Sequence, residues 1–154
     1  MRIGTAIGDC SAVLKEIDLF SSCTKQELAR ISSLCSTMSA ERGEMLTRQG
    51  GYGNEFFVVI EGTATVFRNG LKIATLAGGS FFGEMALLDG KERTATVIAE
   101  TDVQLLVLSR TEFRSLARVA PAALEKIMVG LSARLRQADE WIADDSPSAR
   151  LRAI

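Results

Sequence analysis

From Thr37 to Ser109, short apolar runs alternate with glycine-bearing turns, and this pattern constrains the fold more than any other feature of the chain. Glu55-Phe56-Phe57-Val58-Val59-Ile60 is rich in aromatic and β-branched residues, the composition of a well-packed strand. Glu61-Gly62 turns into a second run, Thr63-Ala64-Thr65-Val66-Phe67. Asn69-Gly70 predicts a two-residue hairpin, because both residue types tolerate the positive φ that such a turn demands. Leu71 to Leu76 returns, and Gly78-Gly79 turns again before Phe81-Phe82. Ala95 to Ala99 and Val103 to Leu108 supply further strands. Many short strands joined by tight turns predict an antiparallel sandwich or barrel.

Helical patterns flank this region. Ser11 to Cys35 reads as helical, broken at Phe20-Ser21-Ser22-Cys23. Thr24 is a predicted N-cap, with Glu27 three residues on as its capping-box partner, and Leu28, Ile31, Leu34 and Cys35 follow at helical spacing. Ser109 caps a short helix from Thr111 to Ala120, and Pro121 suits the first turn of a long helix running to about Ala143. On that helix Leu124, Met128, Leu131, Leu135, Ala138 and Ile142 form a heptad seam. Such a stripe serves either to pair two subunits or to lie against the barrel. Residues 1–10 are then an N-terminal segment, residues 11–143 the domain, with its last helix from about 121, and residues 144–154 a flexible tail.

Composition removes whole classes of chemistry. The 154 residues are enough for one domain, with an ordinary balance of 47% hydrophobic and 24% charged residues. A net charge of −1 does not point to nucleic acid. The chain has no histidine, which excludes a Ser-His-Asp triad, a histidine-rich zinc site and a histidine-held haem. Cys10, Cys23 and Cys35 make no CxxC pair, and an odd count fits reduced thiols in the cytoplasm; no metal site is expected. No apolar run is long enough to span a bilayer, and the glycine-broken stretch from Met1 to Gly8 is a poor signal peptide.

The chemistry lies in Phe82-Gly83-Glu84-Met85-Ala86-Leu87-Leu88, followed by Arg93-Thr94-Ala95-Thr96-Val97. A glycine lets a ligand approach the backbone closely. Glu84 is an acceptor-only carboxylate suited to a sugar hydroxyl. Met85-Ala86-Leu87 opens a short helix whose free N–H groups, that of Ala86 above all, suit a phosphate oxygen. Arg93 adds a fixed positive fork, and Thr94 a hydroxyl and an N–H. The plainer alternatives are a solvated helix-start glutamate for Glu84 and a surface ion pair with Asp89 or Glu92 for Arg93. Leu76, Phe82, Leu87 and Val97 are expected to build wall and core.

This segment, set between helices in a run of short strands, resembles the phosphate-binding cassette of the cyclic nucleotide-binding domain family. The resemblance runs from about Leu14 to Ile142 and includes Gly50, Gly53 and Gly62, which stand where the family turns its strands. Glu92 replaces a frequent proline, and Asn54 a frequent aspartate. The fold it implies is α+β, mainly β: an antiparallel β-roll of jelly-roll type with N-terminal helices and a long C-terminal helix. The ligand set it implies is Phe82, Gly83, Glu84, Met85, Ala86, Arg93, Thr94 and Ala95, with Glu84 on the ribose and Ala86, Arg93 and Thr94 on the phosphate. Family members fold their last helix over the base, which makes Leu131, Arg134 and Leu135 candidate lid residues.

The expected function is a non-enzymatic sensor for cAMP, with cGMP as the alternative ligand and no cofactor. Ligand binding would be transmitted through the C-terminal helices to a protein effector, and the last helix is a candidate homodimer contact. A catabolite-activator-type transcription regulator would carry a helix-turn-helix after that helix. Too few residues follow Ala143 for one, so direct DNA binding is not expected unless the chain is truncated. The initial methionine points to a free-standing protein, the alternative being the regulatory piece of a larger effector.

Overall fold

The computed structural model describes residues 2–4 and 10–145. A short strand β1 (Arg2–Gly4) precedes helix α1 (Ser11–Glu16), a 3-10 turn (Asp18–Phe20) and helix α2 (Lys25–Leu34). Eight strands follow: β2 (Ser36–Ala40), β3 (Met45–Thr47), β4 (Glu55–Glu61), β5 (Ala64–Arg68), β6 (Leu71–Leu76), β7 (Phe81–Phe82), β8 (Thr96–Ala99) and β9 (Val103–Ser109). Helix α3 (Glu84–Asp89) interrupts them after β7, and helices α4 (Arg110–Val119) and α5 (Pro121–Asp145) close the chain.

Local chemistry accounts for most boundaries. The Thr24–Glu27 capping box forms as expected, and Ser109 makes a second one with Glu112. Both residues of the Asn69-Gly70 turn have positive φ, 52° and 77°, and Arg68 faces Leu71 across the hairpin. Phe20, expected to break the helix, ends the 3-10 turn instead and is fully buried. Helix α5 runs to Asp145, two residues past the expected end, and residues 146–154 of the expected tail lie outside the described residues.

The strands form two antiparallel sheets, β1-β2-β9-β4-β7 and β3-β8-β5-β6, closed on one another as a roll. Strand β4 shows why its apolar run is nearly continuous. Its period of two sends Phe57 and Val59 into the core between the sheets, while Phe56 and Val58 join the helices in a second core. Strand β9 divides likewise, with Leu105 and Val107 inside the roll and Leu106 and Leu108 under the helices. The helix-side core carries Leu14, Phe20, Leu28, Ile31, Phe113, Leu116 and Ile127. It also holds Leu87, so α3 is anchored in the same apolar cluster as α4 and α5.

Helix α5 uses only part of its heptad seam against the rest of the domain: Leu131 packs on the helix-side core. Among its described side chains Ala123 and Ile127 are the buried ones, and Gly130 lets Phe81 approach so closely that an added Cβ would sit 2.7 Å from the ring. Met128, Leu135 and Ile142, three members of the seam, are 58%, 65% and 62% exposed. Packing within the domain therefore leaves these three seam residues unaccounted for. Among the described residues no helix is long and apolar enough to cross a membrane.

Candidate functional site

A cavity of about 540 Å³ opens between strands β5 and β6, helix α3, the 93–95 loop and helix α5. All the sequence-identified residues from Phe82 to Ala86 and from Arg93 to Ala95 line it, as do Leu131, Arg134 and Leu135. The roll and α5 thus bring together segments some fifty residues apart, Glu84 and Arg134 being separated by 50 positions.

Gly83 makes the cassette turn. Its φ is +90°, and an added Cβ would lie 2.7 Å from the Glu55 carbonyl and 2.8 Å from the Arg93 guanidinium. Behind it Phe82 stacks on Phe57, with ring centroids 4.7 Å apart. Glu84 opens α3 and is 3% exposed, so it is not the solvated helix-start residue that its type alone allows. Its Oε1 accepts from Arg134 Nη1 at 2.6 Å, while its Oε2 is buried without a partner among the described residues. A buried carboxylate oxygen in that state is costly unless a donor reaches it, and the cavity is where a donor would come from. Ala86 is buried in the wall, and Met85 is nearly half exposed at the mouth.

Arg93 is 7% exposed and is not a surface ion pair. Asp89 and Glu92 are not its partners. Its Nη1 donates to the Gly83 carbonyl at 2.9 Å, and its Nη2 donates to the Glu55 carbonyl at 2.9 Å and to Glu55 Oε2 at 3.3 Å. Burial pulls the guanidinium below its ordinary pKa, opposed by the Glu55 carboxylate beside it. Gly53 is explained by the same group: an added Cβ would fall 2.5 Å from Arg93 Nη2, so this glycine makes room for the arginine. Gly50 and Gly62 do turn the chain, with φ of +80° and +90°.

Thr94 is exposed at the mouth, and its carbonyl accepts from Arg68 Nε at 3.2 Å. The Ala95 carbonyl accepts from Thr47 Oγ1 at 3.1 Å, which pins the loop to β3. Leu76, Phe82 and Val97 form wall and Leu87 lies in the helix-side core, in line with the expected wall-and-core role. Of the three lid candidates, Arg134 makes the specific contacts: the ion pair with Glu84, a short bond from Nη2 to the Phe81 carbonyl, and stacking over the Phe81 ring at 4.5 Å. Leu131 packs on the helix-side core and Leu135 is exposed at the rim.

Sequence reasoning missed Glu55 and Arg68. Glu55 reads as the first residue of a strand, and its reach to Arg93 across 38 positions has no local signal. Arg68 ends the strand before the hairpin, where an exposed arginine is unremarkable.

The architecture is that of a ligand-binding regulatory domain: a roll with a half-open cavity, a buried acid and a buried arginine facing it, and a long helix across its mouth. The model of the cyclic nucleotide-binding domain matches residues 37–119, more than half of the chain, and the chain belongs to that family. It is 35% identical over 107 residues to a cAMP-dependent protein kinase regulatory subunit from Aspergillus niger, covering 68% of this chain and 26% of that subunit. It is 32% identical over 131 residues to the cyclic AMP receptor protein of Thermus thermophilus, covering 82% of this chain and 61% of that protein. Among solved structures, the Thermus thermophilus catabolite activator protein superposes with a TM-score of 0.73 at 32% identity, over 80% of this chain and 61% of that one. A cAMP-bound kinase regulatory subunit, PfPKA-R, superposes with a TM-score of 0.76 at 26% identity, over 86% of this chain and 46% of that one. The chain thus spans about a quarter of the length of the Aspergillus relative, and the fold expected from the sequence is the one observed.

Proposed function

We propose that the chain is a non-enzymatic cyclic nucleotide sensor, with cAMP as its preferred ligand and cGMP as the alternative. The observation that carries this reading is the pairing of a buried carboxylate, Glu84, with a buried guanidinium, Arg93, on one cavity of suitable size. A cyclic nucleotide offers each what it lacks: a ribose 2′-hydroxyl to donate to Glu84 Oε2, and a phosphate for Arg93, the Ala86 N–H and Thr94. The relatives named above for cAMP support the ligand class. Arg134 closes over the base. Because Arg134 already holds Glu84, ligand and helix α5 meet on one carboxylate. Any differential contact there shifts α5 between arrangements.

Glu84→Ala is expected to weaken cAMP binding by roughly tenfold to a hundredfold, since a hydrogen bond to a charged group contributes about 1.5–3 kcal/mol. The native chain should prefer cAMP to 2′-deoxy-cAMP, and Glu84→Ala should lose that preference. Calorimetry with both ligands checks this. An undiminished preference in the variant would remove Glu84 from the ribose site.

The exposed seam on α5 supports a homodimer in which Met128, Leu135 and Ile142 face a second copy. Light scattering should give about twice the 16.6 kDa chain mass, and Ile142→Glu with Leu135→Glu should return the single mass. A native chain that stays monomeric with and without nucleotide would exclude this contact. The Thermus relative favours a second reading, a regulatory piece acting with a DNA-binding element; a gel shift at low salt tests it. In either reading the effector is a further macromolecule, and location in the cytoplasm is part of the proposal.

A further inference from the structure

Arg110 is the first residue of helix α4, directly after the Ser109 cap. A cation there is opposed by the helix dipole, which favours acids at that end. The side chain nevertheless folds back into the protein. Its Nη2 donates to the Ala86 carbonyl of α3 at 3.3 Å, and its Nε is buried without a partner among the described residues. An added Cβ on Gly90, the residue that ends α3, would lie 3.8 Å from the same guanidinium. The cation therefore sits at the C-terminal end of α3, where a helix dipole favours positive charge. Arg110 itself does not line the cavity; it grips the cavity's helix from behind.

Helix α3 is thus held by two arginines from two different elements. Arg134 of α5 holds Glu84 at its start, inside the cavity, and Arg110 of α4 holds Ala86 behind it. The two ties differ in what a ligand does to them. A ligand that engages Glu84 competes with or reorganises the Arg134 tie. Arg110 is not among the cavity-lining residues, so a ligand there does not touch this tie directly. We infer that Arg110 is a positioning residue that makes α3 and α4 move as one body, so that occupation of the cavity reaches α4 and α5. The inference rests on the proposed nucleotide site and adds the residue through which that site acts.

Amide hydrogen exchange with and without saturating cAMP, measured on the native chain, Arg110→Gln and Arg110→Lys, tests it alongside calorimetry. In the native chain cAMP changes exchange across α4 and α5. In Arg110→Gln the affinity stays within about tenfold of native, while the ligand-induced change across α5 falls by roughly half or more. Arg110→Lys, which keeps the charge but not the fork, lies between the two. Should the glutamine variant fail to fold by circular dichroism, the lysine variant decides: its ligand-induced change must be smaller than native. A change of native size in either folded variant overturns the inference, even if affinity has dropped, because Arg110 would then only support the cavity wall. A native chain that binds neither cAMP nor cGMP overturns the proposed function, and the tie with it.

Discussion

Arg93→Ala is expected to lower cyclic nucleotide affinity by on the order of a hundredfold or more. A charged hydrogen bond contributes about 1.5–3 kcal/mol, and the arginine offers two of them to an anion. The count follows from the structure. Of five N–H donors on a guanidinium, Nη1 gives one to the Gly83 carbonyl, and Nη2 gives its two to Glu55. The remaining N–H groups are the donors available to a phosphate. The substitution also strips two backbone carbonyls of their donor, so some stability is lost as well, about 1–3 kcal/mol. Arg93→Lys separates the effects, because it keeps a positive charge without the fork. Calorimetry with cAMP and cGMP, on variants first shown to be folded, measures both. Binding of native strength by Arg93→Ala would end the phosphate assignment.

Phe56→Ala should be the most destabilising of the simple core truncations. Phe56 is fully buried, and its ring lies 5.0 Å from that of Phe113 and 5.8 Å from that of Phe81. It therefore joins β4 to α4 and to β7, the neighbouring strand that leads into the cassette. Removing such a ring costs about 3–5 kcal/mol, which lowers the melting temperature by roughly 10 °C in a domain of this size. The loss should also reach the proposed lid residue, because Phe81 carries Arg134 on its ring and on its carbonyl. Melts with and without cAMP should show a smaller stabilisation by ligand in the variant than in the native chain. A drop of only about a degree would show that the helix-side core does not depend on this ring.

What was legible in the chain was legible for local reasons. The Asn69-Gly70 hairpin, the Thr24–Glu27 capping box, the Ser109 cap and the Gly83 turn depend on the φ range or the side-chain reach of residues within four positions of one another. The cassette could be found because its residues are contiguous and its chemistry needs that order. The heptad seam was legible as a pattern, but its partner was not, since a stripe does not say what it faces. The same holds for Phe56 and Phe57, adjacent in sequence and buried in two different cores.

The amino-acid sequence by itself determined the strands from β4 onward, their turns, the helix starts and the presence of an acid and an arginine suited to a sugar phosphate; β1, β2 and β3 were not legible in it. Tertiary structure alone decided what those two residues hold. Arg93 takes Glu55 rather than its neighbours Asp89 and Glu92, because the pairing of β4 with β7 sets Glu55 beside the Gly83 turn. Glu84 takes Arg134 because Gly130 lets α5 settle on Phe81, one helical turn before that arginine. Both contacts depend on sheet register and on the seating of a helix. These are properties of many distant residues at once, and no short window of sequence contains them.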